Sequence, residues 1–248
     1  MTIDVSIITV RNSSKRLPNK TIMKIFNDLR AIDILIKRVQ KVGLPVIIAT
    51  STASDDDIFE EIAKNHNVKI FRGSLLNKIK RWYDCFKFFN IQNALLVDGD
   101  DLAYDYEIGK RAMSDLKKSN VEMILNPPNI ICGFFTYALN QDGLSKLYNV
   151  AKSEELDTDV IHKFIQLAHL KTSFIKLKNN EYDKKIRLTL DYPEDLEFFR
   201  KLYQNISVTA NGNDIVTFLE NNALIKEINF HKQKDFLNNQ KEFNENIK

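Results

Sequence analysis

The chain has 248 residues, 44% of them apolar, with 36 basic against 33 acidic side chains. That length suits one large α/β domain, and a net charge of +3 argues for neither a nucleic-acid nor a membrane partner. No apolar run nears the ~18 residues of a bilayer span, the first residues lack a secretory pattern, and Cys85 and Cys132 sit without metal spacing, so reduced thiols and a cytoplasmic setting are expected.

Residues 5–10 are an apolar run that reads as a buried strand. It spills into a loop carrying Arg11, Lys15, Arg16 and Lys20 among Asn12, Ser13, Ser14 and Pro18. A helical pattern follows over 31–42, with Ile32, Leu35, Ile36 and Val39 on one face. A strand at 44–49 leads into a loop at 50–57, where Ser54 or Asp55 is placed to cap a helix over 58–65. Next come a strand at 68–71, an aromatic-faced helix at 75–89 and a strand at 94–97 that ends in Asp98-Gly-Asp-Asp101. A helix at 107–118 and a strand at 121–125 complete the half. This β-then-α alternation predicts a three-layer α/β/α sandwich on a mainly parallel sheet, folded as a single domain over 1–248. Sheets of this kind bind ligands beyond the C-terminal ends of their strands.

The second half is less regular. Pro127-Pro128 punctuates it, and 130–137 reads as a strand, 142–151 as a helix and 153–167 as an acidic, then helical, stretch. Strands are expected at 172–178 and 185–190. A helix over 193–203 opens at Asp191 or Tyr192 with Pro193 in an early position, and another over 213–221 follows the Asn211-Gly212 turn. Residues 231–248 form a polar tail, either a short amphipathic helix around Phe236 and Phe243 or frayed.

The chemistry concentrates in three segments. Arginine offers a planar fork of donors and lysine a point charge, so the loop over 11–20 suits phosphate, although neither G-x-x-x-x-G-K-[ST] nor G-x-G-x-x-G is present. Two apolar strands end in acids, at 96–101 and at 187–191. Cations on the phosphates of a nucleoside triphosphate and two carboxylates on Mg²⁺ would make one site, since magnesium takes carboxylate and phosphate oxygens. Taken alone, Asp191 ahead of Pro193 also reads as an ordinary helix cap.

These segments resemble the cytidylyltransferases that activate sugar acids, and within them the spore-coat-polysaccharide type. The first loop matches R-x-x-S-x-R-L-P-x-K through Arg11, Ser14, Arg16, Leu17, Pro18 and Lys20. Ala49-Thr50-Ser51, Arg72-Gly73-Ser74 with Arg81, Gly99-Asp100 with Asp105, the run from Arg187 to Leu196, and Glu227-Ile228-Asn229 continue the match in order. The resemblance implies a Rossmann-like, GT-A-like nucleotidyltransferase sheet and a transfer of CMP from CTP to a sugar acid or related anion, with loss of pyrophosphate. It implies Arg11, Arg16, Lys20, Asp100 and Asp191 as catalytic residues, with Asp100 and Asp191 the Mg²⁺ ligands. Arg11, Ser14, Arg16, Lys20, Thr50, Ser51, Ser74 and Arg81 would line the nucleotide. It also implies a homodimer through the region 130–180, which would hold the acceptor as well.

The chain departs from the pattern at several points. Ser13 stands where the family usually has glycine, Val10 where it has alanine, and Asn77 where it has aspartate. Asp101-Leu102 replaces a proline-containing step, and 27–30 replaces a glycine-containing turn. Two alternatives therefore stand beside the sugar-acid reading: a nucleotidyltransferase acting on a phosphonate or phospho-alcohol, and a nucleotide-binding homologue without turnover. The four scattered histidines, the aromatic cluster Trp82, Tyr83, Phe86, Phe88 and Phe89, and the run Asp55-Asp56-Asp57 read as surface, core packing and helix start, respectively.

Overall fold

The structure, a computed structural model, describes residues 2–14 and 16–246, so Lys15 lies outside the described residues, as do the side chains of 240 and 242–246, Phe243 among them. The first strand, β1 (Ile3–Thr9), is buried from Val5 onward and lies in the interior of the sheet. It pairs in parallel with β4 (Val46–Ser51) on one side and β6 (Ile91–Asp98) on the other. The small strands β2 (Lys24–Phe26) and β3 (Leu29–Arg30) form a separate ribbon. Adding β5 (Lys69–Gly73), β7 (Met123–Leu125), β8 (Tyr137–Asn140) and β9 (Thr172–Phe174) gives a seven-stranded sheet ordered β5-β4-β1-β6-β8-β7-β9. Only β8 runs antiparallel to its neighbours.

Alternation along the strands divides the core into two layers. Ile8, Ile48, Leu95 and Val97 face one side, against α1 (Ala31–Gln40), α2 (Ile58–Asn65), α4 (Tyr106–Lys118), α7 (Pro193–Asn205) and α8 (Gly212–Asn221). Ile7, Ile47, Ala94 and Leu96 face the other, against α3 (Lys78–Phe89), α5 (Gln141–Val150) and α6 (His162–Leu167). The chain ends in α9 (Ala223–Phe230) and α10 (Gln233–Asn246). The expected three-layer, mainly parallel architecture is therefore present.

Several local expectations need correction. Residues 54–56 form a 3-10 turn, and neither Ser54 nor Asp55 caps α2; Asp57 stands at that position without a side-chain cap. Residues 130–136 are not a strand, because Gly133 turns the chain through φ +90 so closely to the Leu188 carbonyl that a Cβ there would lie 2.2 Å from its oxygen. Residues 185–190 are not a strand: Lys185 takes a left-handed φ of 59, and the segment makes only one bridge, Cys132 to Arg187, among the described residues. Residues 153–161 carry no helix, and β9 stops at Phe174. Trp82 and Phe86 belong to the core as expected, whereas Phe88 is largely exposed beside Phe89.

Candidate active site

The loop after β1 is fastened before it reaches any ligand. Asn12 donates its backbone N–H to Asp56 at 2.8 Å and accepts the Thr21 hydroxyl at 2.8 Å. The Ser14 hydroxyl accepts from the Leu17 N–H at 3.4 Å, closing a turn, and Asn19 adopts a left-handed φ of 57. The chain then enters a single 3-10 turn, Lys20–Ile22, with the Lys20 side chain directed inward.

Lys20 donates to Asp100 at 2.6 Å and to Asp191 at 3.0 Å. Arg16 donates to the same Asp191 oxygen at 2.5 Å and lies 5.4 Å over the Tyr192 ring. Asp100 follows β6, where Gly99 passes so close to Thr9 and Val10 that a Cβ would meet both at 2.9 Å. Asp191 is held from behind: Arg187 donates to it at 2.9 Å and forms a two-toothed pair with Asp195 at 2.9 and 3.1 Å. Asp195 also accepts the N–H groups of Asp191 and Tyr192, and Asn229 donates to Asp195 at 2.8 Å and to the Arg187 carbonyl at 3.1 Å. Thus Asp191 is not the helix cap. The backbone entering α7 is capped by Asp195, and the Asp191 carboxylate is left for the cations.

Charge balance at this point is tight. Burial pushes the Asp191 carboxyl up, but Lys20, Arg16 and Arg187 outweigh it and hold it at about 2. Burial raises Asp100, Lys20 opposes that, and Asp191 and Asp98 add to the rise. Asp101, buried beside Asp100 and Asp98, lies well above the usual carboxylate range despite the Thr136 hydroxyl at 3.1 Å. Burial also works against the Lys20 charge, and the two aspartates raise it regardless. Four carboxylates crowd one strand end, with Lys20 as the cation between two of them.

A second group of predicted residues lies at the ends of β4 and β5. Arg11 donates to the Leu75 carbonyl at 2.6 Å and to Asp159 at 3.1 Å, and Arg81 donates to the Ser74 carbonyl at 2.8 Å. The two guanidinium groups therefore converge on one short turn. Burial, then Arg11, lowers Arg81 to about 10. The Ser74 hydroxyl accepts the Asn77 N–H at 3.1 Å. Ser51 donates to Asp56 at 2.5 Å, and Thr50 beside it is fully buried with its hydroxyl unpartnered among the described residues. The structure thus joins Arg16, Lys20, Asp100 and Asp191 directly, gathers Arg11, Ser74 and Arg81 at the neighbouring strand end, and sets Thr50 and Ser51 behind that rim. Asp105 caps α4 by accepting the Glu107 N–H at 2.8 Å, and a cavity of about 570 Å³ next to it is lined by none of the residues predicted for the site.

Two departures in sequence have structural explanations. Asn77 caps α3 by accepting from Lys80, while its amide donates to the carbonyls of Ala151 at 2.6 Å and Ser153 at 2.8 Å, which a carboxylate cannot do. Asn27 takes the left-handed φ of 51 in the β2–β3 turn, the conformation for which glycine is the usual choice. Sequence reasoning assigned no role to Arg187, Asp195 or Asn229. It also passed over Lys78, Asp98 and Asp159; the acidic run 98–101 was the one visible signal.

A mainly parallel α/β sheet with cations and carboxylates gathered at its strand ends fits a nucleotidyltransferase. Residues 5–228 match the cytidylyltransferase family, and the chain belongs to it. It is 27% identical over 229 residues to the spore coat polysaccharide biosynthesis protein SpsF of Bacillus subtilis, covering 87% of this chain and 93% of that protein. A cytidylyltransferase structure from Leptospira borgpetersenii has the same fold, with a TM-score of 0.80, 24% identity, and coverage of 92% of this chain and 98% of that one. A CMP:2-keto-3-deoxy-manno-octonic acid synthetase, solved with CTP, has it at a TM-score of 0.62 and 15% identity, covering 82% and 99%. Among the described residues no helix is long and apolar enough to cross a membrane.

Proposed function

We propose that the protein transfers CMP from CTP to a sugar acid or related anionic acceptor, with magnesium as cofactor and pyrophosphate as the leaving group. The observation that carries this reading is the meeting of Asp100 and Asp191 on the single ammonium of Lys20. The donor set suits magnesium: two carboxylates from separate strand ends, close enough to share one cation, with phosphate oxygens to complete the shell. Asp100 and Asp191 would hold the ion, which would supply charge neutralisation at the α-phosphate. Lys20 and Arg16 exchange carboxylate for phosphate oxygen and neutralise the triphosphate. Arg11, Ser74 and Arg81 serve the nucleoside side, with Thr50 and Ser51 supporting them.

Similarity to a spore coat polysaccharide protein and to a sugar-acid synthetase favours surface glycan assembly as the setting. The meeting of Arg16, Lys20, Asp100 and Asp191 at one point favours an active enzyme over a homologue without turnover. Pairing of two copies through 130–180 is supported by Val150, Leu167 and Phe174, which leave apolar side chains exposed there. The test is a pyrophosphate-release screen of CTP, UTP, ATP and GTP against sugar acids, phosphonates and phospho-alcohols, with and without magnesium. Release with CTP, a sugar acid and magnesium is expected. Release with another nucleotide alone moves the base assignment, and no release with any pair refutes turnover.

A further inference from the structure

Helix α3 begins at Lys78, and its first turn holds Lys78, Lys80 and Arg81 with no acidic residue. Three cations at the positive end of a helix oppose its dipole and call for compensation. Lys80 has it, from Asp84 at 2.6 Å and Glu154 at 3.0 Å. Arg81 has it in part, because its Nε is buried and without a partner among the described residues. Lys78 has least: its side chain is 7% exposed, it lies 5.4 Å over the Trp82 ring, and the nearest carboxylate is Asp98 at 3.5 Å. A nearly buried ammonium with one long contact is under-satisfied.

The position of this pair gives it meaning. The Trp82 indole donates to Thr9 at 2.8 Å, and Thr9 stands beside Asp98 in the parallel register of β1 and β6. Lys78, Trp82, Thr9 and Asp98 therefore form one wall at the C-terminal ends of the central strands, with Asp98 separated from Asp100 by Gly99 alone. Asp98 is 37% exposed, so its carboxylate is open to a ligand. Asp159, with its side chain exposed, lies within the field of the same cations, and Lys78, Arg11 and Lys20 together hold its carboxyl low.

We infer that Lys78 and Asp98 are the acceptor-reading pair: the ammonium takes the anionic group of the acceptor, and the carboxylate accepts a hydrogen bond from one of its hydroxyls. The inference rests on the cytidylyl-transfer reading. It names the acceptor class as a molecule carrying both a fixed negative charge and a nearby hydroxyl, which sugar acids supply and simple phosphonates do not. In the free protein the two side chains hold each other loosely, and the ligand separates them by offering each a better partner.

The test uses the full chain saturated with magnesium and a CTP analogue whose α,β-bridge is methylene, so that no transfer occurs. Inorganic phosphate and 2-keto-3-deoxy-manno-octonic acid are then titrated in by calorimetry. Both are expected to bind, and Lys78→Met is expected to weaken both at least tenfold while leaving analogue affinity unchanged and the thermal midpoint no lower. Asp98→Asn is expected to tighten phosphate, by freeing the ammonium, without tightening the sugar acid. Adding Lys78→Met to it should abolish that gain. Binding of neither anion, indifference to Lys78→Met, or loss of the analogue in step with the anions overturns the assignment. Failure of the wild-type chain to bind the analogue removes the cytidylyl-transfer reading itself, whereas analogue binding with no anion at Lys78 removes this inference alone.

Discussion

Arg187 and Asp195 form a two-toothed ion pair at 2.9 and 3.1 Å with neither side chain exposed, and the same arginine steadies Asp191 at 2.9 Å. The pair stands one layer behind the carboxylate that faces Lys20. Breaking a buried pair leaves an uncompensated charge, a loss of about 3–5 kcal/mol. Asp195→Ala and Arg187→Met are each expected to destabilise the fold by that order in urea unfolding. Arg187→Lys should recover little, because one ammonium cannot reproduce the fork. An unfolding midpoint unchanged in Arg187→Met would mean that the pair carries no weight.

Asp191 makes stability depend on acid. Its carboxyl is held at about 2 in the fold, below the ordinary value of 3.8, so its contribution is complete above that ordinary value and is lost as pH falls through the folded one. The expected loss is on the order of 2 kcal/mol between about pH 4 and pH 2. Urea midpoints measured across that interval should fall, and Asp191→Asn should flatten the part of the slope that belongs to this group.

Replacing Asp100 or Asp191 by asparagine is expected to lower turnover by about a hundredfold or more, the order seen when one charge-stabilising group is lost. Circular dichroism should stay native. Pyrophosphate release near the wild-type rate, still dependent on magnesium, would remove these two residues from the metal site.

Arg16→Gln and Lys20→Met are each expected to weaken CTP binding by about 1.5–3 kcal/mol, the range for hydrogen bonds to charged groups. Cytidine should lose much less. Calorimetric titration of both ligands distinguishes a triphosphate cradle from a general loosening of the loop, for which the two losses would match.

The central strands were legible because their signal is local. Short apolar runs at 5–10, 44–49 and 94–97 marked them, and α1, α2 and α4 fell within a residue or two of their periodic faces. The region 130–136 was misread because its apolar side chains, Ile130, Ile131, Phe134 and Phe135, are buried from an irregular path. Burial without a partner strand looks the same in sequence, and the turn at Gly133 is forced by the distant Leu188. In the site, Lys20, Asp100 and Asp191 could be named from motif order. The support behind them could not, since Asn229 meets Asp195 across 34 positions and no spacing rule announces such a contact. Lys78 was hidden for the opposite reason: at a helix start rich in lysine it looks like surface charge, and only packing against Trp82 shows it turned inward.

β1 lies in the interior of the sheet between two strands that follow it in sequence, and the amide that locks Arg187 and Asp195 together arrives at residue 229. β1 must therefore wait for both of its parallel neighbours, and the acidic half of the site stays incompletely fastened until Asn229 is in place. A chain cut short before Asn229 would hold Arg16 and Lys20 beside an Asp191 whose support from Arg187 and Asp195 lacks its last member.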